Sequence, residues 1–207
     1  MTIIHASNEL TIGRRRLEGL ETSGNYWDLG DIYIRRADAS DTAAFLGHFR
    51  EGAADSERKY DKLDFPHTAK GVEDWICGYL TEKSEDTCLF AIFEKPDGFI
   101  GFVEVWQTDR RMGTFRFGIW ISDDKSGKGY ATKSLVKILD FYFNELRYQK
   151  SDVYIYDFNI RSLEFHKKIG FTEEGRVRRQ YYTSGGYHDA IYCGMTAEEY
   201  NERYSTI

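Results

Sequence analysis

Twelve consecutive residues, Trp120 to Ala131 (WISDDKSGKGYA), constrain this chain more than any other stretch. They leave an apolar strand, cross an acidic corner, pass a glycine-rich turn and enter a long amphipathic helix near Lys128. A strand, glycine turn and helix in this order aim a row of backbone N–H groups at one point. The positive end of the helix dipole lies there too, so the unit suits phosphate. Two nucleotide motifs come close and fail. A P-loop needs a glycine five residues after Gly127, directly before Lys-Ser, and Thr132 stands there. The dinucleotide fingerprint G-x-G-x-x-G/A breaks at the same threonine, and the flanking strands are wrong for it. What remains is a short loop able to wrap a pyrophosphate with N–H groups, or a plain glycine-rich turn.

The neighbouring elements predict a mixed sheet. Ile32–Arg35 alternates as a strand, and Ala37–Glu51 reads as a helix with Asp38 or Ser40 as N-cap. Val72, Trp75, Ile76, Tyr79 and Leu80 recur at helical spacing and predict a helix over 69–83. Strands follow at 89–94, 99–109 and 113–122, the first closing on the turn Lys95-Pro96-Asp97-Gly98. In the third, Phe115, Phe117, Ile119 and Ile121 share a face. Gly118 in mid-strand predicts a bulge or a close approach by backbone or ligand. The helix from Lys128 to Leu146 carries a buried stripe of Leu135, Leu139, Tyr142 and Leu146. A strand over 151–157, a helix over 160–169 stopped by Gly170, two strands around Ser184-Gly185-Gly186 and a helix over 196–204 complete the chain. Residues 1–30 read as an N-terminal extension in which 9–18 and 25–31 pair as a hairpin; the domain proper spans 31–207. This order predicts an α/β (α+β) fold: a mixed, mostly antiparallel twisted sheet of about seven strands with helices on both faces.

Composition narrows the class. A formal net charge of −6 argues against a nucleic-acid binder and is compatible with a cationic substrate. Cys77, Cys88 and Cys193 are widely spaced without a C-x-x-C, so neither a disulfide framework nor a zinc site is expected, and no other metal. No apolar run approaches a membrane span, which makes the cytoplasm the default location.

A second motif begins thirty residues after Gly129: Asn159 to Phe171 reads N-x-x-S-x-x-F-H-x-K-x-G-F. Together with the glycine loop, the segment Ile32–Arg35 and the closing Gln180–Met195, it resembles the GNAT superfamily of N-acetyltransferases over roughly residues 31–200. Within it the chain looks most like ribosomal-protein alanine acetyltransferases and polyamine acetyltransferases. The resemblance implies acetyl transfer from acetyl-CoA to a primary amine, with direct attack in a ternary complex. The amine would be a small molecule or a protein N-terminus. It is also compatible with a homodimer. A non-catalytic CoA-binding or regulatory module on the same fold is the alternative.

Residue by residue, Asp124 to Gly129 resembles the family's Q/R-x-x-G-x-G/A pyrophosphate cradle. Lys125, Ser126, Gly127, Lys128, Gly129, Tyr130 and Ala131 then hold the pyrophosphate, with Lys125 and Lys128 offsetting the unusual Asp124. Trp120, Ile121 and Ser122 would flank the pantetheine arm, with backbone N–H groups around Trp120 and Ile121 polarising the acyl carbonyl. Asn159 matches the residue that contacts the arm, and Ser162 falls beside it; Asn159 also reads as a simple helix N-cap. His166 stands where many members carry a tyrosine that protonates the leaving thiolate, and histidine can do that chemistry. Glu104, inside a predicted central strand, is the nominated base, because a carboxylate there is costly unless paired or used. Related enzymes often carry Glu two residues before the glycine of the next strand, where Arg116 stands here. Tyr181, Tyr182, Tyr187 and Tyr192 cluster in the closing hairpin as sheet-surface or core residues, or as the lining of an acceptor cleft.

Overall fold

The computed structural model describes residues 26–50, 68–81, 87–96 and 98–204. Eight strands form one sheet in the order β1-β2-β3-β4-β5-β6-β8-β7. They are β1 Tyr26–Asp28, β2 Ile32–Arg36, β3 Cys88–Glu94, β4 Gly98–Asp109, β5 Thr114–Ile121, β6 Lys150–Tyr156, β7 Thr172–Thr183 and β8 Gly186–Thr196. Every pairing is antiparallel except β5 with β6. The strand beyond the expected seven is β1, which pairs with β2 through Trp27 and Ile34. Its proposed hairpin partner, 9–18, lies outside the described residues.

Each sheet face is covered by its own helices. On one face, Phe45 of α1 (Thr42–Arg50) and Ile76 of α2 (Ala69–Thr81) pack against Leu89, Ala91 and Phe93 of β3. Helix α1 begins at Thr42, later than the Ala37 expected from the sequence, because a 3-10 turn over Ala39–Asp41 comes first. Asp38 accepts from the Ser40 N–H at 2.8 Å, and the Asp41 carboxylate accepts from the Asp38 N–H at 2.8 Å, a capping box one 3-10 turn ahead of the helix. On the other face, Leu135, Ile138 and Leu139 of α3 (Tyr130–Asp140), Ile169 of α4 (Ile160–Ile169) and Tyr200 of α5 (Ala197–Tyr204) share a core with Val103, Phe115, Phe117 and Ile191.

Leu135, Leu139 and Tyr142 are buried as the stripe predicted, but Leu146 is 43 % exposed. The helix passes into a π segment at Phe141–Glu145, and the Leu146 N–H bonds back to the Phe141 carbonyl at 3.0 Å. A π turn adds a residue to the repeat, so the stripe loses phase and Leu146 swings out. Phe143 and Tyr148 fill the core instead.

Strands β5 and β6 pair only at Thr114–Lys150 and Phe115–Ser151. Beyond that point β5 stays with β4 as far as Ile121, and β6 stays with β8 as far as Tyr156. The two parallel strands therefore diverge toward their C-terminal ends and open a cleft in the sheet. Gly101 makes room on the β4 side, since a Cβ there would stand 2.2 Å from the Trp120 carbonyl oxygen. Gly118 makes room for a side chain rather than for a backbone or a ligand: a Cβ there would meet the Trp106 indole at 3.2 Å.

Candidate active site

The stretch Trp120–Ala131 forms the lip of this cleft. After Ile121 the Ser122 N–H bonds the Ile100 carbonyl at 2.9 Å, and a 3-10 turn follows over Asp123–Lys125. Gly127 and Gly129 then take left-handed φ values of +78° and +83°. A Cβ at either would meet nothing within 4 Å, so glycine is required there by backbone geometry and not by crowding. Gly129 is the N-cap of α3 and supplies no capping side chain. The first N–H groups of an α-helix have no partner within it, so an uncapped end beside an exposed loop suits an anion. These residues fit a pyrophosphate through their backbone.

The lysine side chains face elsewhere. Lys125 Nζ donates to Glu94 Oε2 at 2.5 Å, Tyr130 Oη donates to Glu94 Oε1 at 2.7 Å, and Lys128 Nζ lies 3.4 Å from the same oxygen. The Lys125 ammonium and the Tyr130 hydroxyl hold the Glu94 carboxyl down to about 2. One carboxylate from the end of β3 thus ties the loop to the first residue of α3. Of the two lysines expected to offset Asp124, Lys125 lies 3.9 Å from it but is closer to Glu94, at 2.5 Å, and Lys128 pairs with Glu94. Asp124 itself points into solvent, 72 % exposed, which relieves its repulsion of a bound phosphate.

The opposite lip is the N-terminus of α4. Asn159 is buried, and its side chain accepts from the Ser162 N–H at 3.1 Å, so the N-cap reading holds. The next helical turn reaches across the cleft: the Arg161 guanidinium donates to Ser126 Oγ and lies 3.8 Å from Asp123. Arg161 and Glu94 were absent from the sequence reading. Their partners lie 31 to 36 residues away, so no local pattern marks them.

His166 is 6 % exposed, stacked on Phe117 at 5.7 Å and edge-on to Phe171 at 5.4 Å. Its Nδ1 is 2.8 Å from the Ser162 carbonyl, which can only accept, so Nδ1 carries the hydrogen and Nε2 the lone pair. Burial pushes the imidazole down to about 4. Burial therefore favours the neutral ring at neutral pH. Glu104 is half-buried in β4 between Leu89 and Gly118, on the face of Phe102 and Trp106. Arg116 binds Asp152 at 2.5 Å and Gln107 at 2.8 Å, so the family's usual glutamate position is spent on a cross-sheet ion pair. Among the hairpin tyrosines, Tyr181 stacks on Tyr156 at 4.3 Å, while Tyr182 and Tyr187 are exposed.

Residues 31–172 match the model of the acetyltransferase (GNAT) domain, so the chain belongs to that family. It is 33 % identical over 177 residues to the SPbeta prophage-derived uncharacterized N-acetyltransferase YokL of Bacillus subtilis, covering 84 % of this chain and 95 % of that protein. It is 28 % identical over 128 residues to the spermidine N(1)-acetyltransferase of Escherichia coli K12, covering 62 % of this chain and 67 % of that one. In fold it is similar to the spermidine N-acetyltransferase of Vibrio cholerae solved with CoA and spermine. That match has a TM-score of 0.73 at 19 % identity and covers 82 % of this chain and 98 % of that one. The protein is an acetyl-CoA-dependent N-acetyltransferase with an amine as acceptor. No helix among the described residues is long and apolar enough to cross a membrane.

Proposed function

We propose that the protein transfers the acetyl group to a primary amine by direct attack in a ternary complex, with no covalent enzyme intermediate. The observation that carries this reading is the cleft between β5 and β6 opening beside the uncapped glycine turn of α3. Backbone N–H groups of Ser126 to Ala131 hold the pyrophosphate. Trp120, Ile121, Ser122, Asn159 and Ser162 line the pantetheine arm. Past Phe115 no described strand pairs with β5 on the β6 side, so the alternate backbone N–H groups that turn from β4 toward the cleft around Trp120 and Ile121 would polarise the acyl carbonyl.

Direct transfer is supported by the cysteines. Cys77 is exposed on α2, burial pushes the Cys88 thiol up to about 11, and burial also raises Cys193. Neither Cys88 nor Cys193 is a thiolate at neutral pH. His166 serves as packing under the cleft rather than as an acid; a CoA thiolate leaves without one. The acceptor is a small-molecule amine or a protein N-terminus. We propose in addition a cytoplasmic location and a homodimeric assembly; both rest on the sequence reading, and cell fractionation and sedimentation test them.

The test is thiol release from acetyl-CoA with spermidine in one arm and an alanine-terminated peptide in the other, with product mass measured. Saturable acetylation in either arm supports the reading, and the responding arm gives the acceptor class. An acyl-cysteine trapped on the enzyme would overturn direct transfer.

A further inference from the structure

The acceptor amine reaches the cleft as an ammonium and must lose a proton before it attacks. We infer that His188, oriented by Asp157, is the general base that takes it. This assignment rests on the acetyl-transfer reading above.

The sheet decides the side of approach. Phe117 and the α4 residue His166 stack together on the face covered by α3 and α4, which closes that side of the cleft. On the opposite face α1 and α2 pack over β3, and no described helix covers β6 and β8. That uncovered face carries Tyr156, Tyr181 and His188. Tyr181 pairs with His188 across the hairpin, and Tyr156 stacks on Tyr181 over the small Ala190 between them. Aromatic faces of this kind attract an ammonium group.

His188 Nδ1 lies 2.9 Å from Asp157 Oδ1. The Asp189 N–H donates to Asp157 Oδ2 at 3.2 Å, and the Asp157 N–H donates to the Asp189 carbonyl at 3.0 Å, so the carboxylate is fixed. A carboxylate on Nδ1 places the hydrogen there and leaves the lone pair on Nε2. The Phe158 ring meets the imidazole edge-on at 4.7 Å. Nε2 lies beside Gly186, where a Cβ would stand 3.8 Å away, and Gly186 starts β8 beyond the level of Ala190, at which β6 ends. Asp157 is two residues before Asn159, a span of at most about 7 Å along the chain. The dyad therefore sits at the rim of the cleft. The other charges near it are Asp189, Arg176, 3.4 Å from Asp189, and Arg179, whose N–H binds Asp189 at 2.9 Å. Glu104 is less well placed, held in mid-strand between β3 and β5.

The step balances. One ammonium proton passes to His188 Nε2. The freed lone pair forms the C–N bond to the acetyl carbon as the C–S bond breaks. The second proton lost from nitrogen ends on the CoA thiol, and the imidazolium returns its proton to solvent.

The test compares wild type with His188→Gln and Asp157→Asn in the full chain. It reads kcat/KM for the amine from pH 6 to 10, CoA affinity by calorimetry and thermal melting. His188→Gln is expected to lower kcat/KM about a hundredfold at neutral pH, the usual size of a lost base. CoA affinity and melting stay unchanged, and the deficit shrinks as pH nears the pKa of the amine. Asp157→Asn is expected to move the same way by less. A wild-type rate and profile in His188→Gln overturns the assignment, as does an equal deficit at every pH. Wild-type protein that binds CoA yet acetylates no amine would instead overturn the acetyl-transfer reading, and this base with it.

Discussion

Tyr130, the first residue of α3, donates its hydroxyl to Glu94 at the end of β3, 2.7 Å away and 36 residues earlier in the chain. Lys125 closes on the same carboxylate from the other side of the glycine turn. The turn that would hold pyrophosphate is thus clamped at both ends by one side chain that never needs to touch the ligand.

Glu94→Gln removes the charge from that clamp. The KM for acetyl-CoA is expected to rise roughly tenfold, the scale of a lost charge-assisted hydrogen bond, with kcat little changed. Initial rates at varied acetyl-CoA check it. The linkage has a definite sign. Lys125 and Tyr130 hold the Glu94 carboxyl at about 2, below its ordinary 4.5. Its contribution to stability is present above pH 4.5 and is lost as pH falls toward 2. Acid titrations of wild type and variant should converge in that window.

Gly129→Ala isolates the backbone requirement. The φ of +83° is costly for alanine while the space around it is open, so a loss of about 1 kcal/mol is expected from conformation alone. Calorimetry should show several-fold weaker CoA binding, roughly what 1 kcal/mol gives. Unchanged affinity would mean that the turn does not hold the ligand.

His166 makes a stability prediction. Its folded pKa of about 4 lies below the ordinary 6.5, because burial disfavours the charged ring. The fold is favoured fully above pH 6.5, and that advantage is lost as pH falls through about 4. The loss should reach about 3 kcal/mol. Denaturant midpoints across this range should fall more steeply in wild type than in His166→Phe.

Phe115 stands at the last residue pair before β5 and β6 part, fully buried against Tyr142, Phe143 and Tyr148. Phe115→Ala is expected to cost about 3–5 kcal/mol, read by chemical denaturation.

Much of this architecture was legible in the sequence because it is local. Alternation placed Phe115 and Phe117 in the core, helical spacing placed Leu135 and Leu139 there, and Asp38 and Gly170 punctuate helices as their chemistry requires. Leu146 was misplaced because a π turn breaks a period that residue spacing assumes constant. The glycine turn was visible, but the directions of Lys125 and Lys128 were not, since they depend on Glu94 from another strand. Arg161 on Ser126 and His188 on Asp157 escaped for the same reason: each contact joins segments more than thirty residues apart.

The proposed reaction is acetyl transfer in a cleft that holds acetyl-CoA on the Gly127–Ala131 turn. Its most direct test is acetyl-CoA turnover against an amine panel, run beside CoA binding, for wild type and Gly129→Ala. Amine-dependent thiol release with an acetylated product is expected, with a raised acetyl-CoA KM in the variant. CoA binding without turnover on any amine would contradict it and favour a non-catalytic CoA-binding module.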